Sequence, residues 1–271
     1  MRGEETRRAL ALAKRLALRA GAMLHRRREG ARTISSKGGV GNIVTEMDHA
    51  SERLILGGIR KAFPRHAIVA EESGEHGDAE CKWYVDPLDG TVNYSHAFPL
   101  WSVSIAFEVR GRMEAGVVYC PGLGDLYEAR RGAGAKRNGK AIRVSKANRL
   151  DRALLVSGFP YNWKLKIQAL KAWGAFVRRA QAIRRLGSAA LDLCYVAAGR
   201  FEAFWEQHLK PWDVAAGALI VEEAGGRVTG MDGGPFDAAA AHLIASNGHV
   251  HREVVDTIAK FRAEHVKKQM S

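Results

Sequence analysis

Carboxylates stand at three places where the surrounding residues are apolar. Glu71 and Glu72 close "HAIVAEES", Asp86 and Asp89 lie in "WYVDPLDGTVNY", and Asp213 lies in "KPWDVAAGALIVEE". Ionised carboxylates are expensive to desolvate and raise one another's pKa, so a buried gathering of them calls for positive charge between them. Hard divalent cations with oxygen ligands are the usual solution. No His or Cys stands at ligand spacing, which favours Mg²⁺ over Zn²⁺. Within "DPLDGT", Pro87 fixes φ and disfavours helix at Asp86, while Gly90 allows a sharp turn. Asp86, the Leu88 carbonyl and Asp89 can then face one point. The N–H groups of Gly90 and Thr91 stand where a helix would open and can cradle a phosphate. Asp-Pro and Asp-Gly are also ordinary turn formers, and Asp213 alone would read as a helix cap. The joint occurrence of the three stretches is what points to chemistry.

The elements that must position these groups are legible in outline. Leu10, Ala13, Leu16, Ala17, Ala20 and Leu24 recur at helical spacing and predict an amphipathic first helix, closed by Arg26, Arg27 and Arg28. A polar stretch with glycines at 38, 39 and 41 follows, without the G-K-[ST] of a Walker loop. A second helix, capped near Asp48, carries Leu54, Ile55 and Ile59 and ends at Phe63-Pro64. "HAIVAEES" and "KWYVDPLDG" predict two short buried strands, each running out into carboxylates. "WSVSIAFEVRGRMEAGVVYCPGLGDLYEARRG" predicts further strands around a turn at Arg110-Gly111-Arg112. Beyond "LLVSGFP" lies a long helical pattern in which Trp163, Trp173 and Phe176 fall at core-facing spacing. Helices, mostly antiparallel strands and a second mixed half predict stacked layers in one unit, with approximate halves 1–150 and 151–271. "GAGAKRNGK" lacks the strand–helix surroundings of a dinucleotide fingerprint.

Composition narrows the setting. The chain has 271 residues, 46% of them hydrophobic, enough for a large core. No apolar run approaches the ~18 residues of a membrane span. Lys14, Arg15 and Arg19 interrupt the apolar residues near the N-terminus, which argues against a signal peptide. Cys81, Cys120 and Cys194 are too few and too scattered for a disulfide framework or a metal knuckle, so a reducing cytoplasm is the expected home. The net charge of +13 suggests a polyanionic partner, either RNA or a phosphate-bearing ligand. Lys164, Lys166, Lys171, Arg178, Arg179, Arg184 and Arg185 concentrate that charge in one span.

"EES" at 71–73, "DPLDGTVNY" at 86–94 and "WDVAAGALIVEEAGG" at 212–226 together resemble the metal-site signatures of the inositol monophosphatase family. The resemblance runs over nearly the whole chain. "KGGVGNIVTEMD", "GSAALDLCYVAAGRFEAFWE" and "KPWD" are similar to the family's bacterial cytoplasmic branch, which is implicated in ribosomal RNA transcription antitermination. The resemblance implies an α+β layered αβαβα sandwich, commonly a homodimer. It also implies Mg²⁺-dependent, lithium-sensitive hydrolysis of phosphate monoesters, with two to three ions per subunit and Mn²⁺ as a substitute. Inositol-1-phosphate is the expected substrate, with fructose-1,6-bisphosphate, adenosine-3′,5′-bisphosphate and NADP as rivals.

Carried over position by position, Glu71, Asp86 and the Leu88 carbonyl would hold one ion, and Asp86, Asp89 and Asp213 a second. Thr91 and Asp48, with Glu71, would ready the attacking water. Asp89, Gly90, Thr91, Arg184, Gly187, Ser188, Ala189 and Glu206 would contact substrate, Glu206 taking the alcohol hydroxyls. One departure concerns Asn42, where the family commonly has Asp. It removes a charge from the loop that, with Lys37, would close over a third ion.

Overall fold

The structure is a computed structural model describing residues 2–30, 33–38, 41–240 and 242–269. Gly39 and Val40 of the glycine-rich loop lie outside the described residues. In chain order the first half contains α1 (Arg2–Arg27), β1 (Ile34–Ser36), β2 (Ile43–Thr45), α2 (Glu46–Ala62), β3 (Ala67–Ala70), β4 (Gly74–His76), β5 (Cys81–Asp89) and α3 (Thr91–Ser95). It continues with β6 (Ser102–Val109), β7 (Arg112–Cys120), β8 (Asp125–Arg130), β9 (Ala135–Arg137) and β10 (Lys140–Ala141). The second half contains β11 (Leu154–Ser157), α4 (Trp163–Val177), β12 (Ala182–Arg184), α5 (Ala189–Ala197), β13 (Ala203–Glu206), α6 (Pro211–Glu223), β14 (Arg227–Thr229), β15 (Leu243–Ser246) and α7 (His251–Gln269).

Two main sheets organise the layers. Strands β3 to β10 form one sheet in the order β10-β9-β8-β7-β6-β5-β3-β4, and the second sheet runs β12-β11-β13-β15-β14. α1 and α2 pack on one face of the first sheet and α6 on the other. α5 packs on α6 and on the second sheet, whose far side carries α4 and α7. The sequence of layers is therefore αβαβα. Ala13, Leu16, Ala17, Ala20 and Leu24 of α1 are buried against Ile55, Ile59, Val103 and Ile105, as the helical spacing predicts. Each fully buried Leu or Ile contributes ~1.5–3 kcal/mol through loss of apolar surface from water. The middle core joins residues of both halves, from Val69 and Val118 to Leu193, Phe204, Leu219 and Ala245.

Local chemistry explains the ends of the elements near the carboxylates. α2 begins at a capping box: Thr45 is the N-cap, its Oγ1 accepting from Met47 N at 3.2 Å, and Asp48 Oδ2 accepts from Thr45 N at 2.8 Å. The cap is thus three residues earlier than the sequence suggests, with Asp48 as its reciprocal partner. In α4 the expected inward stripe holds for Phe176, which packs on Trp205, but Trp163 in the first turn is 69% exposed. That turn starts beyond the reach of the second sheet's core, whose neighbours along α4 are Trp173 and Phe176. No described helix is long and apolar enough to cross a membrane.

Candidate active site

β5 is where the sequence stores its chemistry. Residues three apart in an unbroken strand face opposite sides of a sheet. Here the pairing of β5 with β6 shifts register between Asp86 and Asp89, around Pro87, which has no N–H to offer the ladder. The bulge lets both aspartates turn to the same cleft. β3 lies parallel to β5 with Ala70 opposite Val85, and Glu71 N donates to Val85 O at 3.2 Å, so Glu71 follows directly alongside Asp86. Gly90 then turns the chain at φ +87°, and a Cβ there would meet the Gly187 and Leu100 carbonyls at 3.1 Å. Glycine serves both the positive φ and the close approach.

A cleft of about 400 Å³ gathers most of the predicted residues. Glu71, Asp86, Leu88, Asp89, Gly90, Thr91, Gly187, Ser188, Ala189, Glu206 and Asp213 line it, together with Lys37 and Asn42 of the glycine-rich loop. Hydrogen bonds fix the acids. Asp86 Oδ1 accepts from Leu88 N at 2.9 Å, Asp213 Oδ2 from Lys210 N at 2.7 Å, and Asp89 Oδ2 from Ala190 N at 2.9 Å and from the Ser188 hydroxyl. Thr91 Oγ1 lies 3.1 Å from both Asp48 Oδ1 and the Leu88 carbonyl. Asp48 is fully buried beneath it, and its Oδ2 also accepts the Thr45 hydroxyl at 2.6 Å.

Electrostatics follows from this crowding. Burial, then Glu71, Asp89 and Asp213, pushes the Asp86 carboxyl well above the usual range. Asp213 is raised by burial and by Glu71 and Asp89, while the Lys210 N–H opposes. Asp89 is raised by burial against the pull of Ser188 and two backbone N–H groups. Asp48 is pushed up to about 6, chiefly by burial, with the Thr45 hydroxyl and N–H opposing. Lys37 is the cation at this end: its Nζ is 2.9 Å from Glu71 Oε1 and also pairs with Glu72. Burial opposes its charge, but Glu71 and Glu72 together raise its pKa.

Among the described residues no lysine or arginine pairs with Asp86, Asp89 or Asp213. An all-oxygen donor set, buried or half-buried and with Lys37 on Glu71 as its one paired cation among the described residues, fits hard divalent cations. A different trio, Glu5, His66 and Cys81, brings its ligand atoms within 4.8 Å of one another. It begins β5 while Asp86 lies five residues on, a separation of roughly 16 Å along the strand. Trp83 Nε1 donates to His66 Nδ1 at 3.1 Å, which leaves the proton of a neutral ring on Nε2, facing Glu5 Oε1 at 3.3 Å. In that tautomer His66 has no lone pair left for a cation.

Two sequence expectations change. Arg184 ends β12 with its guanidinium on the Ile183 carbonyl at 3.0 Å, exposed and away from the cleft, and Arg185 lines the cleft instead. Glu72 turns to Lys37, and its N–H donates to Glu52 Oε2 at 2.8 Å, so it does not line the cleft. Gly158, Tyr161, Asp192 and His208 are further lining residues that sequence reasoning did not single out. Of these, Gly158 had no local signal: a Cβ there would lie 2.0 Å from Glu206 Oε2, a contact visible only when β11 and β13 are paired.

Residues 5–267 match the sequence profile of the Inositol monophosphatase family. The Nus factor SuhB of Pasteurella multocida is 43% identical over 228 residues, covering 83% of this chain and 85% of that protein. The inositol-1-monophosphatase of Synechocystis sp. is 41% identical over 233 residues, covering 83% and 80%. The crystal structure of the extragenic suppressor protein suhB from Bartonella henselae superposes with a TM-score of 0.87 at 38% identity, covering 92% of this chain and 97% of that one. On the strength of a profile spanning almost every residue and of the layered fold it shares with these relatives, the chain belongs to the inositol monophosphatase family.

Proposed function

We propose that the protein is a Mg²⁺-dependent phosphate monoester hydrolase acting on inositol-1-phosphate. The observation that carries this reading is the gathering of Glu71, Asp86, Asp89 and Asp213 in one cleft beside the Thr91–Asp48 pair. Glu71, Asp86 and the Leu88 carbonyl, and Asp86, Asp89 and Asp213, are the two oxygen sets that would hold divalent ions. Bound there, such ions supply Lewis-acid neutralisation of phosphoryl oxygens and acidify water.

The chain's own residues do the positioning. Thr91 Oγ1, with its proton directed to Asp48 or the Leu88 carbonyl, offers a lone pair that orients the attacking water. Asp48, whose pKa burial raises to about 6, is mostly ionised at neutral pH and can take a proton through Thr91. Gly90 and Thr91 line the cleft and would offer their N–H groups to the phosphate, while Glu206 with the 187–189 turn would receive the alcohol. No covalent intermediate on the protein is required, since phosphoryl transfer rests on positioning and charge.

Phosphate release tests the reading, measured on inositol-1-phosphate, fructose-1,6-bisphosphate, adenosine-3′,5′-bisphosphate and NADP while Mg²⁺ is titrated. Inositol-1-phosphate should turn over fastest, Mn²⁺ should substitute, lithium should inhibit, and EDTA should abolish activity. Absence of release from every substrate with either metal would overturn it. The protein acts as a homodimer in the cytoplasm in this reading; a monomer in analytical ultracentrifugation would remove the first of these.

A second role is supported by the exposed charge of Lys164, Lys171, Arg178, Arg179 and Arg184 around α4, and by relatives named Nus factor. In this role the surface binds RNA within a transcription complex. Phosphate contacts make affinity fall steeply with salt. RNA binding that is undetectable at physiological salt would remove it.

A further inference from the structure

α5 is buried along all nine residues, and one of them is an acid. Asp192 is 1% exposed, yet it lines the cleft with Glu206 and Arg185. Its Oδ1 is shut off from solvent and meets no donor. Among the described residues no lysine or arginine forms an ion pair with it. A buried acceptor left without a partner costs about 1–3 kcal/mol, and native structures rarely keep one.

The helix does not account for it. Asp192 is the fourth residue of α5, where the macrodipole favours negative charge by only ~0.3–1 kcal/mol, less than the desolvation of a carboxylate. Burial, then Glu206 and Asp89, pushes the Asp192 carboxyl well above the usual range, with Arg185 opposing. Glu206 is likewise pushed up to about 8 by burial, with Arg185 opposing and Asp89 adding. A carboxyl offers acceptor oxygens, and a donor as well whenever it holds its proton. That pattern suits alcohol hydroxyls, each of which gives one hydrogen bond and accepts others, and it does not repel a phosphate-bearing ligand.

We propose that Asp192 is a substrate-binding residue: a small rotation of its carboxyl into the cleft it lines lets it exchange a hydrogen bond with one hydroxyl of a polyhydroxylated alcohol while another hydroxyl of the same molecule reaches Glu206. The inference rests on the phosphatase reading and sharpens it: the preferred substrates are phosphates of polyols, and simple aryl or alkyl phosphates lack half the recognition.

Steady-state kinetics on two substrates test this, inositol-1-phosphate and the hydroxyl-free phenyl phosphate, each with saturating Mg²⁺. Asp192→Ala should lower kcat/KM for inositol-1-phosphate ~10–100-fold, chiefly through KM, and change phenyl phosphate less than about twofold. Asp192→Asn, whose amide also donates and accepts, should recover most of the loss. Asp192→Leu, close in volume, carries the same expectation if the alanine variant does not fold. Equal losses on both substrates would mean that Asp192 merely supports the fold of the cleft. No loss on either would mean that no substrate hydroxyl reaches the carboxyl, and both results overturn the assignment. A wild-type protein inactive on both substrates would overturn the phosphatase reading itself.

Discussion

Asp86→Asn should abolish activity and yet make the metal-free protein more stable. Asp86 is 2% exposed, and burial together with Glu71, Asp89 and Asp213 raises its pKa well above the usual range when no cation is bound. An unfolded aspartate titrates near about 3.9, so above that pH the cation-free fold either keeps a proton the unfolded chain has lost or holds charge against burial, and both cost stability. The sign follows from the direction of the shift: a raised acid stabilises the fold fully below the unfolded pKa and loses that contribution as pH rises towards the folded one. Asparagine avoids the proton uptake. Its Oδ1 can keep the Leu88 N–H, now at 2.9 Å, and its amide can donate to Glu71, which already lies within hydrogen-bond reach of Asp86.

Burial of the amide takes back part of the gain, and a net gain of ~1 kcal/mol would raise the Tm of a chain of this size by ~2–4 °C. Differential scanning calorimetry in EDTA, from pH 4.5 to 7.5, should show the variant's advantage growing with pH. Added Mg²⁺ should reverse the order, because a ligand bound only to the folded state raises the wild type's Tm while the variant has lost a ligand. A variant that melts lower than wild type in EDTA at pH 7.5, or an advantage flat across pH, would refute the picture of a cluster strained by its own charge.

Two other perturbations follow. Gly158→Ala drives a Cβ into the Glu206 carboxylate, so kcat/KM for inositol-1-phosphate should fall roughly 10-fold while stability changes little, because the displaced atoms are the free end of a side chain that lines the cleft; unchanged kinetics on this substrate would contradict the role given to Glu206. His251, 2% exposed between the Ser246 and Thr229 hydroxyls, has its pKa lowered to about 4 by burial and Arg227, so its neutral form stabilises the fold above about pH 6.5 and that contribution is lost as pH falls through about 4. His251→Gln should remove ~1–2 kcal/mol of acid sensitivity after allowance for solvent screening, read as the difference from wild type in urea melts at pH 4.5 and 7; an identical pH dependence would count against it.

What the sequence made legible was local. Pro87 and Gly90 declare a broken strand and a turn, because each restricts or frees φ on its own, and so Asp86, Asp89 and Thr91 could be placed without knowing the fold. What it hid depended on partners far along the chain. Arg184 and Arg185 are adjacent like charges at the end of a three-residue strand, and one step along a strand changes the face; only the pairing of β12 with β11 decides which arginine meets the cleft. Glu72 looked equivalent to Glu71 until Lys37 and Glu52 drew it aside. Asp192 did leave a trace, a carboxyl inside the uninterrupted apolar run "AALDLCYVAAG", and the trace has a physical reading. A helix buried on every side has no solvent face on which to keep an acid, so an acid kept there must answer to a cavity. The same reasoning applied to Asp86, where the apolar run came first and the charge second. An acid in an apolar run is therefore the more informative signal in this chain than any of its many exposed charges, and it is the one that leads from β5 to α5 and across the cleft between them.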